Sequence, residues 1–381
     1  MKDFATNIEF NQPLTGRTKH LVFTVTTDLS YDQRMIRICT SLVEAGFNIS
    51  LVGRKMKNAI PLIKQPFTQH RINCIFEKGK LFYAEYNIRL FFFLLSKKMD
   101  CITAIDLDSI LACYGISRIK KINRVYDAHE LFCEMKEIVT RPIIYRIWKK
   151  IEQFAVPKFP LGYTVSLPIA EAFKKMYGVS YGVVQNIALL RPLALIEKKE
   201  KYILYQGAVN EGRCFETLIP AMAMVDSRLI ICGDGNFMQQ AIDLVCKYNL
   251  QDKIIFKGRV EPAALRLVTQ QAYFGLTLFD DTGLSNYFSL ANRFFDYLHA
   301  GIPQLVVDYP VYHTIIKEHH VGLLVNDLSI HNLALQMNLL LQNEVLYTTL
   351  QHNCIAAREK LNWQSEAEKL IHFYTSLPYN K

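Results

Sequence analysis

The first half of the chain alternates apolar strand patterns with amphipathic helix patterns. Residues 20–25 are a mostly apolar run, and residues 33–45 carry apolar side chains at helical spacing. Gly46 follows that helix, and residues 48–53 form a second strand pattern. A strand, a helix and a strand joined by short connections are typical of a parallel, doubly wound sheet. Further strands are predicted at residues 101–105, 124–126 and 162–165.

A second alternating set begins at residue 202, and a glycine follows each of its first three strands. These strands are predicted at residues 202–205, 228–232 and 253–256, and the glycines are Gly207, Gly233, Gly235 and Gly258. Ligands of open α/β sheets bind at the carboxyl ends of the strands. We therefore predict an α/β fold with two Rossmann-like domains in tandem that face each other across a cleft, and a nucleotide site in the second domain.

The domain boundary is placed in an irregular stretch at residues 182–201, which includes a charged run at residues 197–201. This gives a first domain at residues 1–186 and a second domain at residues 187–364. The tail at residues 365–381 carries an amphipathic helix pattern. We expect that helix to pack back towards the first domain.

Composition favours a folded protein of two ordinary domains. Half of the 381 residues are hydrophobic and 21% are charged. Residues 1–13 lack the apolar segment of a secretory signal, and the longest apolar run, residues 90–95, is far shorter than the ~20 residues that span a bilayer. The nine cysteines include no Cys-x-x-Cys pair. We expect reduced thiols and a cytoplasmic location.

The formal net charge of +9 is concentrated in the first half of the chain. Residues 1–186 hold 27 Lys and Arg against 16 Asp and Glu, and the remainder holds 17 against 19. This asymmetry indicates an anionic neighbour, either an anionic membrane or a nucleic acid, or else a surplus of solvated lysines. The aromatic run with two lysines at residues 90–98 suits a membrane interface, although core packing is favoured there. We expect peripheral contact with the inner face of the cell membrane and no nucleic-acid partner.

Candidate ligand-binding residues lie where the strands of the second domain end. Arg213 follows a glycine turn and precedes a helix predicted at residues 215–222, where a guanidinium and helix amides can bind a diphosphate. Asp296 lies on a helix predicted to begin near Ser289 and to end at Gly301. Its carboxylate can accept two hydrogen bonds from a ribose diol. The other candidates for this site are Gly207, Gly233, Gly235, Arg259, Val260, Ser289, Leu290, Ala291 and Asn292.

The candidate residues of the first domain follow two of its strands. His129 lies between Asp127 and Glu130 at a strand end, and histidine can shuttle protons or donate to a sugar hydroxyl. Asp32 is predicted to cap the helix that follows the first strand, and Arg34 lies in the first turn of that helix. We assign Asp32, Arg34, Asp127 and Glu130 to the acceptor side of the cleft, and catalysis to His129, Arg213 and Asp296.

Together these motifs resemble the GT-B retaining glycosyltransferases, in particular family 4, over nearly the whole chain. Gly207 with Arg213 is similar to the glycine–basic pair that grips the donor diphosphate in that family. Residues 292–303 resemble its NKxFEYxxAGxP variant of the two-glutamate motif, with Arg293 for Lys and Asp296 as the second acidic residue. Further similarities are a DxR start at residues 32–34, a D-x-H-E turn at residues 127–130, and Asn186 at the start of the second domain.

The resemblance implies transfer of a sugar from a nucleoside-diphosphate sugar to a glycan or lipid-linked acceptor, with retention of the anomeric configuration. The second domain would bind the donor, and closure of the cleft would expel water. Arg213 and helix amides near Ser289 would stabilise the departing diphosphate without a metal ion, and His129 would position the sugar. Bacterial cell-surface polysaccharide or glycolipid synthesis is the expected setting.

Two positions depart from the family pattern. Phe288 stands where many relatives have the first glutamate, which touches the donor sugar, and Ala208 stands where an arginine often follows the glycine. Ser285 and Asn286 are candidates to replace that glutamate. These departures leave open a catalytically altered nucleotide-sugar-binding protein, and a GT-B sugar-nucleotide epimerase is the alternative enzyme.

Asp106 and Asp108 raise the alternative of a metal-dependent transferase. Two carboxylates two residues apart after a strand suit a divalent cation that bridges a nucleotide diphosphate. A single-domain enzyme of that kind would not need the second nucleotide-binding half that begins at residue 202. We therefore expect no metal ion and no cofactor, with the nucleoside-diphosphate sugar as co-substrate.

Overall fold

The computed structural model describes residues 17–30, 32–57, 59–193 and 200–379. The polar segment at residues 1–13 and most of the charged run at residues 197–201 therefore lie outside the described residues. Within the described part, no helix combines the length and the apolar character that crossing a membrane requires.

The first domain is built on a parallel sheet. Its strands are β1 (His20–Thr24), β2 (Asn48–Lys55), β3 (Thr68–Asn73), β4 (Cys101–Ile105), β5 (Asn123–Ala128), β6 (Leu161–Thr164) and β7 (Gly182–Val183). Its helices are α1 (Gln33–Glu44), α2 (Gly79–Leu95), α3 (Ile110–Lys120), α4 (Lys136–Val139), α5 (Pro142–Ala155) and α6 (Leu167–Tyr177). The strand order is β3-β2-β1-β4-β5-β6-β7. Strand β4 is buried along its whole length, as expected for a central parallel strand that is covered on both faces.

The second domain repeats this plan. Its strands are β8 (Tyr202–Gln206), β9 (Arg228–Cys232), β10 (Ile254–Gly258), β11 (Phe274–Thr277), β12 (Gln304–Val307) and β13 (Gly322–Val325). Its helices are α7 (Phe215–Ala221), α8 (Met238–Lys247), α9 (Pro262–Gln271), α10 (Leu284–Tyr287), α11 (Asn292–His299), α12 (Pro310–His319), α13 (Ile330–Gln342) and α14 (Glu344–Arg358). The strands are parallel in the order β10-β9-β8-β11-β12-β13.

The strand order places a ligand crevice in each domain. In both sheets the order reverses after the first strand of the domain, between β1 and β4 and between β8 and β11. Ligands of doubly wound sheets bind outside the carboxyl ends of the strands at such a switch point. The predicted α/β fold with two Rossmann-like domains is confirmed.

A last helix, α15 (Trp363–Thr375), leaves the second domain and packs on the first. Trp363 and Tyr374 are buried in the apolar cluster that covers one face of the first sheet. The Trp363 indole donates to the Ser41 hydroxyl of α1 over 3.0 Å, and the hydroxyls of Tyr374 and Thr103 are 2.9 Å apart. The chain therefore crosses between the domains twice, once in each direction.

Candidate active site

Two arginines flank one aromatic ring at the carboxyl edge of the second sheet. The Cζ of Arg213 lies 4.4 Å from the centre of the Phe279 ring, and the Cζ of Arg293 lies 4.6 Å from the same centre. Arg293 is buried and also lies over the Tyr205 ring, at 4.5 Å. Burial, and then the charge of Arg293, lower the pKa of Arg213 below its ordinary value. This cluster, Arg213–Phe279–Arg293, concentrates positive charge in a partly apolar setting.

The Arg213 side chain has unused hydrogen-bonding capacity. Its Nε and Nη1 atoms are buried, and no group among the described residues accepts a hydrogen bond from either. Buried donors are normally paired, so this arrangement favours an anionic ligand with at least two acceptor oxygens. A diphosphate meets that requirement.

Asp296 lies next to the arginine cluster because Arg293 and Asp296, three residues apart on α11, share one face of the helix. Its Oδ2 accepts a hydrogen bond from Gln206 Nε2 over 2.8 Å, and Gln206 Oε1 accepts one from the Thr269 hydroxyl over 2.7 Å. Arg293 in turn donates to the Gln206 backbone carbonyl over 3.1 Å. Burial raises the pKa of Asp296 to about 6, although Arg37 and Gln206 favour the ionised form.

The helix that carries Asp296 starts later than predicted. Helix α11 begins at Asn292, and residues 284–287 form the separate one-turn helix α10. The Ser289 N–H donates to the Asn286 carbonyl over 3.1 Å, and the Ala291 N–H donates to the Tyr312 hydroxyl over 2.9 Å. Both amides are thus already paired within the protein, and a contact of this segment with phosphate stays a prediction.

The side chains of the two other candidate residues in this segment have different surroundings. Leu290 is buried in the core of the second domain. The side chain of Asn292 accepts a hydrogen bond from Asn186 Nδ2 over 2.6 Å. Asn186 Oδ1 also accepts a hydrogen bond from Arg37 of α1, at 2.5 Å. Asn292 therefore takes part in a contact between the domains.

Close packing of two loops explains Gly233 and Gly235. A Cβ atom at Gly233 would lie 1.8 Å from the Gly207 carbonyl oxygen, and one at Gly235 would lie 2.3 Å from the Val209 carbonyl oxygen. Any side chain at either position would push apart the loops that follow β8 and β9. These glycines thus meet a structural requirement, whereas close approach of a nucleotide to them stays a prediction.

The loop after β10 adjoins the same edge. The Gly233 N–H donates to the Gly258 carbonyl over 2.8 Å. The Arg259 side chain is 86% exposed and lies 3.5 Å from the Asp234 carboxylate, while Val260 packs against a small apolar cluster. These two residues therefore lie at the rim of the crevice, and their predicted contacts with a nucleotide base stay predictions.

Four polar residues form a network at the carboxyl edge of the first sheet. Arg34 Nη2 donates to Asp127 Oδ1 and Arg34 Nε donates to His129 Nε2, each over 2.7 Å. The backbone N–H of His129 donates to Asp106 Oδ1 over 2.9 Å, and the ring nitrogen Nδ1 of His129 lies 3.4 Å from Asp106 Oδ2. Burial by itself would raise the pKa of Asp127, but Arg34 and His129 lower it below its ordinary value.

The network fixes the histidine ring. His129 Nε2 faces Arg34 Nε, and His129 Nδ1 faces Asp106. Both ring nitrogens are therefore engaged, and a direct contact of His129 with a sugar stays a prediction.

The helix cap predicted at Asp32 is confirmed, because its carboxylate accepts from the Met35 N–H over 3.0 Å. Asp108 accepts from the Thr26 hydroxyl over 2.6 Å, and burial raises its pKa to about 7. Asp106 and Asp108 thus both have partners in the first domain. Among the described residues, no group of three or more His, Cys, Asp or Glu side chains is arranged to hold a metal ion.

The two candidate half-sites meet at one seam between the domains. Lys136 Nζ lies 3.1 Å from Asp280 Oδ2, and the Ser285 hydroxyl donates to Glu130 Oε2 over 3.2 Å. Burial, and then the charge of Asp106, raise the pKa of Glu130 to about 7. Phe288 packs against the core of the first domain and does not supply a polar group in place of the family glutamate.

Sequence reasoning did not include Arg293, Gln206 and Phe279 among the site residues. Arg293 carried a signal, since it lies three residues before Asp296 and therefore on the same helical face. Gln206 and Phe279 carried none. Gln206 is the last residue of the buried strand β8, and Phe279 lies two residues beyond the end of the buried strand β11.

Comparison with known proteins agrees with this architecture. The sequence model of the family described as glycosyl transferases group 1 matches residues 189–361. No curated protein matches the chain in sequence. The sucrose-phosphate synthase of Thermosynechococcus elongatus superimposes with a TM-score of 0.80 at 15% identity, over 93% of this chain and 98% of that one.

Two further solved structures have the same fold. HepE of Anabaena in complex with UDP and glucose gives a TM-score of 0.75 at 13% identity, over 94% of this chain and 100% of that one. WaaG, a glycosyltransferase involved in lipopolysaccharide biosynthesis, gives 0.72 at 14% identity, over 94% and 100%. The chain therefore has the GT-B fold of these solved structures, and its residues 189–361 match the family described as glycosyl transferases group 1.

Proposed function

We propose that this enzyme transfers a sugar from a nucleoside-diphosphate sugar to a glycan or a lipid-linked acceptor, with retention of the anomeric configuration and without a metal ion. The observation that carries the proposal is the Arg213–Phe279–Arg293 cluster, with its two buried donors on Arg213 that have no partner among the described residues. The structural relative HepE has been solved with UDP and with UDP-glucose, which supports a donor of this class.

The donor would extend from the arginine cluster to Asp296. A Cβ atom added at Gly207 would lie 3.4 Å from Arg293 Nη1. Gln206 links Arg293 to Asp296 by hydrogen bonds to both. The diphosphate would lie at the arginines, and the ribose diol would donate to the Asp296 carboxylate. The group 1 family match covers all of these residues.

The proposed chemistry relies on charge stabilisation. As the bond between sugar and diphosphate breaks, negative charge grows on the leaving group, and Arg213 and Arg293 are placed to stabilise it. The departing phosphate would take the proton of the acceptor hydroxyl. Attack on the sugar face that the diphosphate leaves would give retention.

The acceptor would enter from the first domain, where Asp32, Arg34, Asp127 and Glu130 lie at the carboxyl edge of the sheet. Closure of the seam would exclude water that otherwise hydrolyses the donor. Cell-surface polysaccharide or glycolipid synthesis in a bacterium, at the inner face of the cell membrane, is the proposed setting. The role of the relative WaaG in lipopolysaccharide biosynthesis supports it.

A donor screen tests the proposal. Nucleoside diphosphates and their sugars would be tested for thermal stabilisation of the protein, and the donors that bind would then be incubated with and without glycan and lipid-linked acceptors. Acceptor-dependent transfer with retained configuration is expected. Binding without turnover for any acceptor would favour an altered binding protein, and conversion of the donor sugar without an acceptor would favour an epimerase.

EDTA is expected to leave the transfer rate largely unchanged, because the two arginines supply the charge that a divalent cation would otherwise supply. The rate would be measured on dialysed enzyme with and without EDTA. A loss of activity that added Mg²⁺ or Mn²⁺ restores would contradict this expectation. It would favour a metal site at Asp106 and Asp108.

Donor binding is expected to weaken as the pH falls through about 6, where Asp296 takes up a proton. Asp296 is ionised above this pH and accepts from the ribose diol, and hydrogen bonds to a charged group contribute about 1.5–3 kcal/mol each. The dissociation constant of a nucleoside-diphosphate sugar would be measured from pH 5 to pH 8, values chosen to bracket a pKa of about 6.

Two variants identify the group that titrates. Asp296→Asn is expected to bind the donor weakly at every pH and to lose the inflection near the pKa of Asp296. Glu130→Gln is the control, because Glu130 also has a raised pKa but lies across the seam from the donor site. An inflection that survives in Asp296→Asn and disappears in Glu130→Gln would remove Asp296 from the ribose site.

A further inference from the structure

Three neighbouring helices of the first domain expose large apolar side chains to solvent. The outer surfaces of α2, α3 and α5 together form what we call the outer helical face. Ile143 of α5 is 72% exposed, and Phe92 of α2 is 65% exposed. Ile88, Ile119, Ile147 and Phe154 are also exposed on this face. Exposed apolar groups that lie together mark sites of interaction more often than isolated ones do.

Contacts between the helices make this face continuous. The Tyr83 ring of α2 lies 5.0 Å from the Trp148 ring of α5, and the Tyr114 ring of α3 lies 5.6 Å from the Phe154 ring. Lys120 Nζ, at the end of α3, donates to the Leu95 carbonyl at the end of α2 over 2.8 Å. The three helices therefore present one surface.

The charge of the protein is concentrated on the same helices. Residues 79–98, 110–121 and 141–158, which contain α2, α3 and α5 with their ends, hold 12 Lys and Arg but only two acidic residues, Glu85 and Glu152. Their net charge of +10 exceeds the +9 of the whole chain. Glu152 is buried and paired with Lys149 at 3.0 Å, so it contributes little negative potential at the surface.

Helix α5 shows most clearly that exposed apolar and exposed basic side chains lie together. Arg146 and Lys150 are exposed along the same side as the exposed Ile143, Ile147 and Phe154. An amphipathic helix of this composition lies in the plane of a membrane interface, with its apolar groups among the acyl chains and its basic groups at the phosphates.

The described part of the second domain exposes apolar side chains without this surplus of positive charge. Helix α13 exposes Leu335, at 57%, and Leu339, at 40%. However, residues 187–381 hold 17 Lys and Arg against 19 Asp and Glu, so no surplus of positive charge accompanies these leucines. Exposed apolar residues occur in both domains, but apolar exposure together with positive charge is found on the outer helical face.

We propose that the outer helical face binds the surface of an anionic membrane. Helix α4, which precedes α5, begins at Lys136, whose side chain contacts Asp280 across the domain seam. The membrane-facing helix α5 therefore starts beside the cleft, and an acceptor carried by a lipid can reach the acceptor side from the bilayer. This use of the membrane rests on the proposed function, whereas the binding itself does not.

Vesicle flotation of the full chain tests the inference. The vesicles would contain phosphatidylcholine alone, or phosphatidylcholine mixed with phosphatidylglycerol. Wild type is expected to float with the anionic vesicles, to stay unbound with the neutral ones, and to dissociate as the salt concentration rises. Ile143→Asp combined with Ile147→Asp, and separately Arg146→Glu combined with Lys150→Glu, are each expected to weaken binding about tenfold or more.

The matched control is Leu335→Asp combined with Leu339→Asp on α13, which is expected to bind vesicles as wild type does. Binding of a nucleoside-diphosphate sugar, measured on every variant in the absence of vesicles, is expected to be unchanged. Retained donor binding would also show that each variant is folded. Vesicle binding without donor binding would refute the proposed function alone, and donor binding without vesicle binding would refute the membrane inference alone.

Three results would overturn the inference. The first is absence of wild-type binding to anionic vesicles at low salt, and the second is equal binding to neutral and anionic vesicles. The third is self-association of the wild-type chain that the Ile143→Asp and Ile147→Asp combination abolishes, as seen by analytical ultracentrifugation. That result would assign the face to a second copy of this chain.

Discussion

Replacing Arg213 with alanine is expected to reduce kcat about 100- to 1,000-fold, the range found when one preorganised donor to a developing negative charge is removed. The Arg213 guanidinium lies against Phe279 with two buried donors that have no partner among the described residues. Its removal leaves no unpaired buried group, so the fold should survive. Initial rates of sugar transfer, together with the thermal unfolding temperature, would measure both effects.

Two further variants provide controls for this result. Arg228→Ala is expected to keep nearly the wild-type rate, because its side chain is 56% exposed at the amino end of β9, away from the carboxyl edge of the sheet. Arg213→Lys is expected to recover only part of the activity, since an ammonium group cannot reproduce the two-pronged contact of a guanidinium with a diphosphate. If Arg213→Ala transfers sugar at a rate close to wild type, the diphosphate does not lie at the arginine cluster.

Two strands were predicted with the bounds that the structure has. The predicted strands at residues 101–105 and 228–232 coincide with β4 and β9. Each is a short run rich in apolar residues that ends at a polar or glycine turn, and such runs are typical of central parallel strands. The predicted strands at residues 124–126 and 202–205 fall within β5 and β8, so the sequence was sufficient to place His129 directly after one strand and Arg213 in the loop after another.

The start of α11 was predicted wrongly for a reason that lies outside the local sequence. The prediction placed the start near Ser289 and argued the end from Gly301, a residue type that often ends helices. In the structure Ala291 is extended, and its N–H donates to Tyr312 Oη of α12. A hydrogen bond to a residue that follows in a different helix cannot be inferred from residues 289–292 alone.

The glycines after β9 show a second limit of sequence reasoning. A glycine that admits a ligand and a glycine that admits a neighbouring backbone are the same in sequence. Gly233 is required because the Gly207 carbonyl occupies the space of its missing side chain. Only the arrangement of the two loops distinguishes these causes.

Replacing Arg34 with methionine is expected to lower the free energy of unfolding by about 3 kcal/mol, the lower end of the range for breaking a buried ion pair. Arg34 and Asp127 are 2.7 Å apart and buried, so the variant leaves the Asp127 carboxylate without its buried cationic partner. Asp127→Asn in the same chain removes that uncompensated charge and should restore most of the stability. Urea unfolding of the two variants would measure the difference.

The pH dependence of this loss has a definite sign. Arg34 lowers the pKa of Asp127, so the stability that the pair contributes is present above the ordinary pKa of an aspartate and is lost as the pH falls through the folded-state pKa. The difference between wild type and Arg34→Met should therefore shrink in acid. Arg89→Met is the matched control: its pair with Glu85 has the same 2.7 Å separation, but Arg89 is 44% exposed, and exposed pairs contribute less than about 1 kcal/mol. Equal losses in Arg34→Met and Arg89→Met would show that the acceptor-side network does not depend on a buried charge pair.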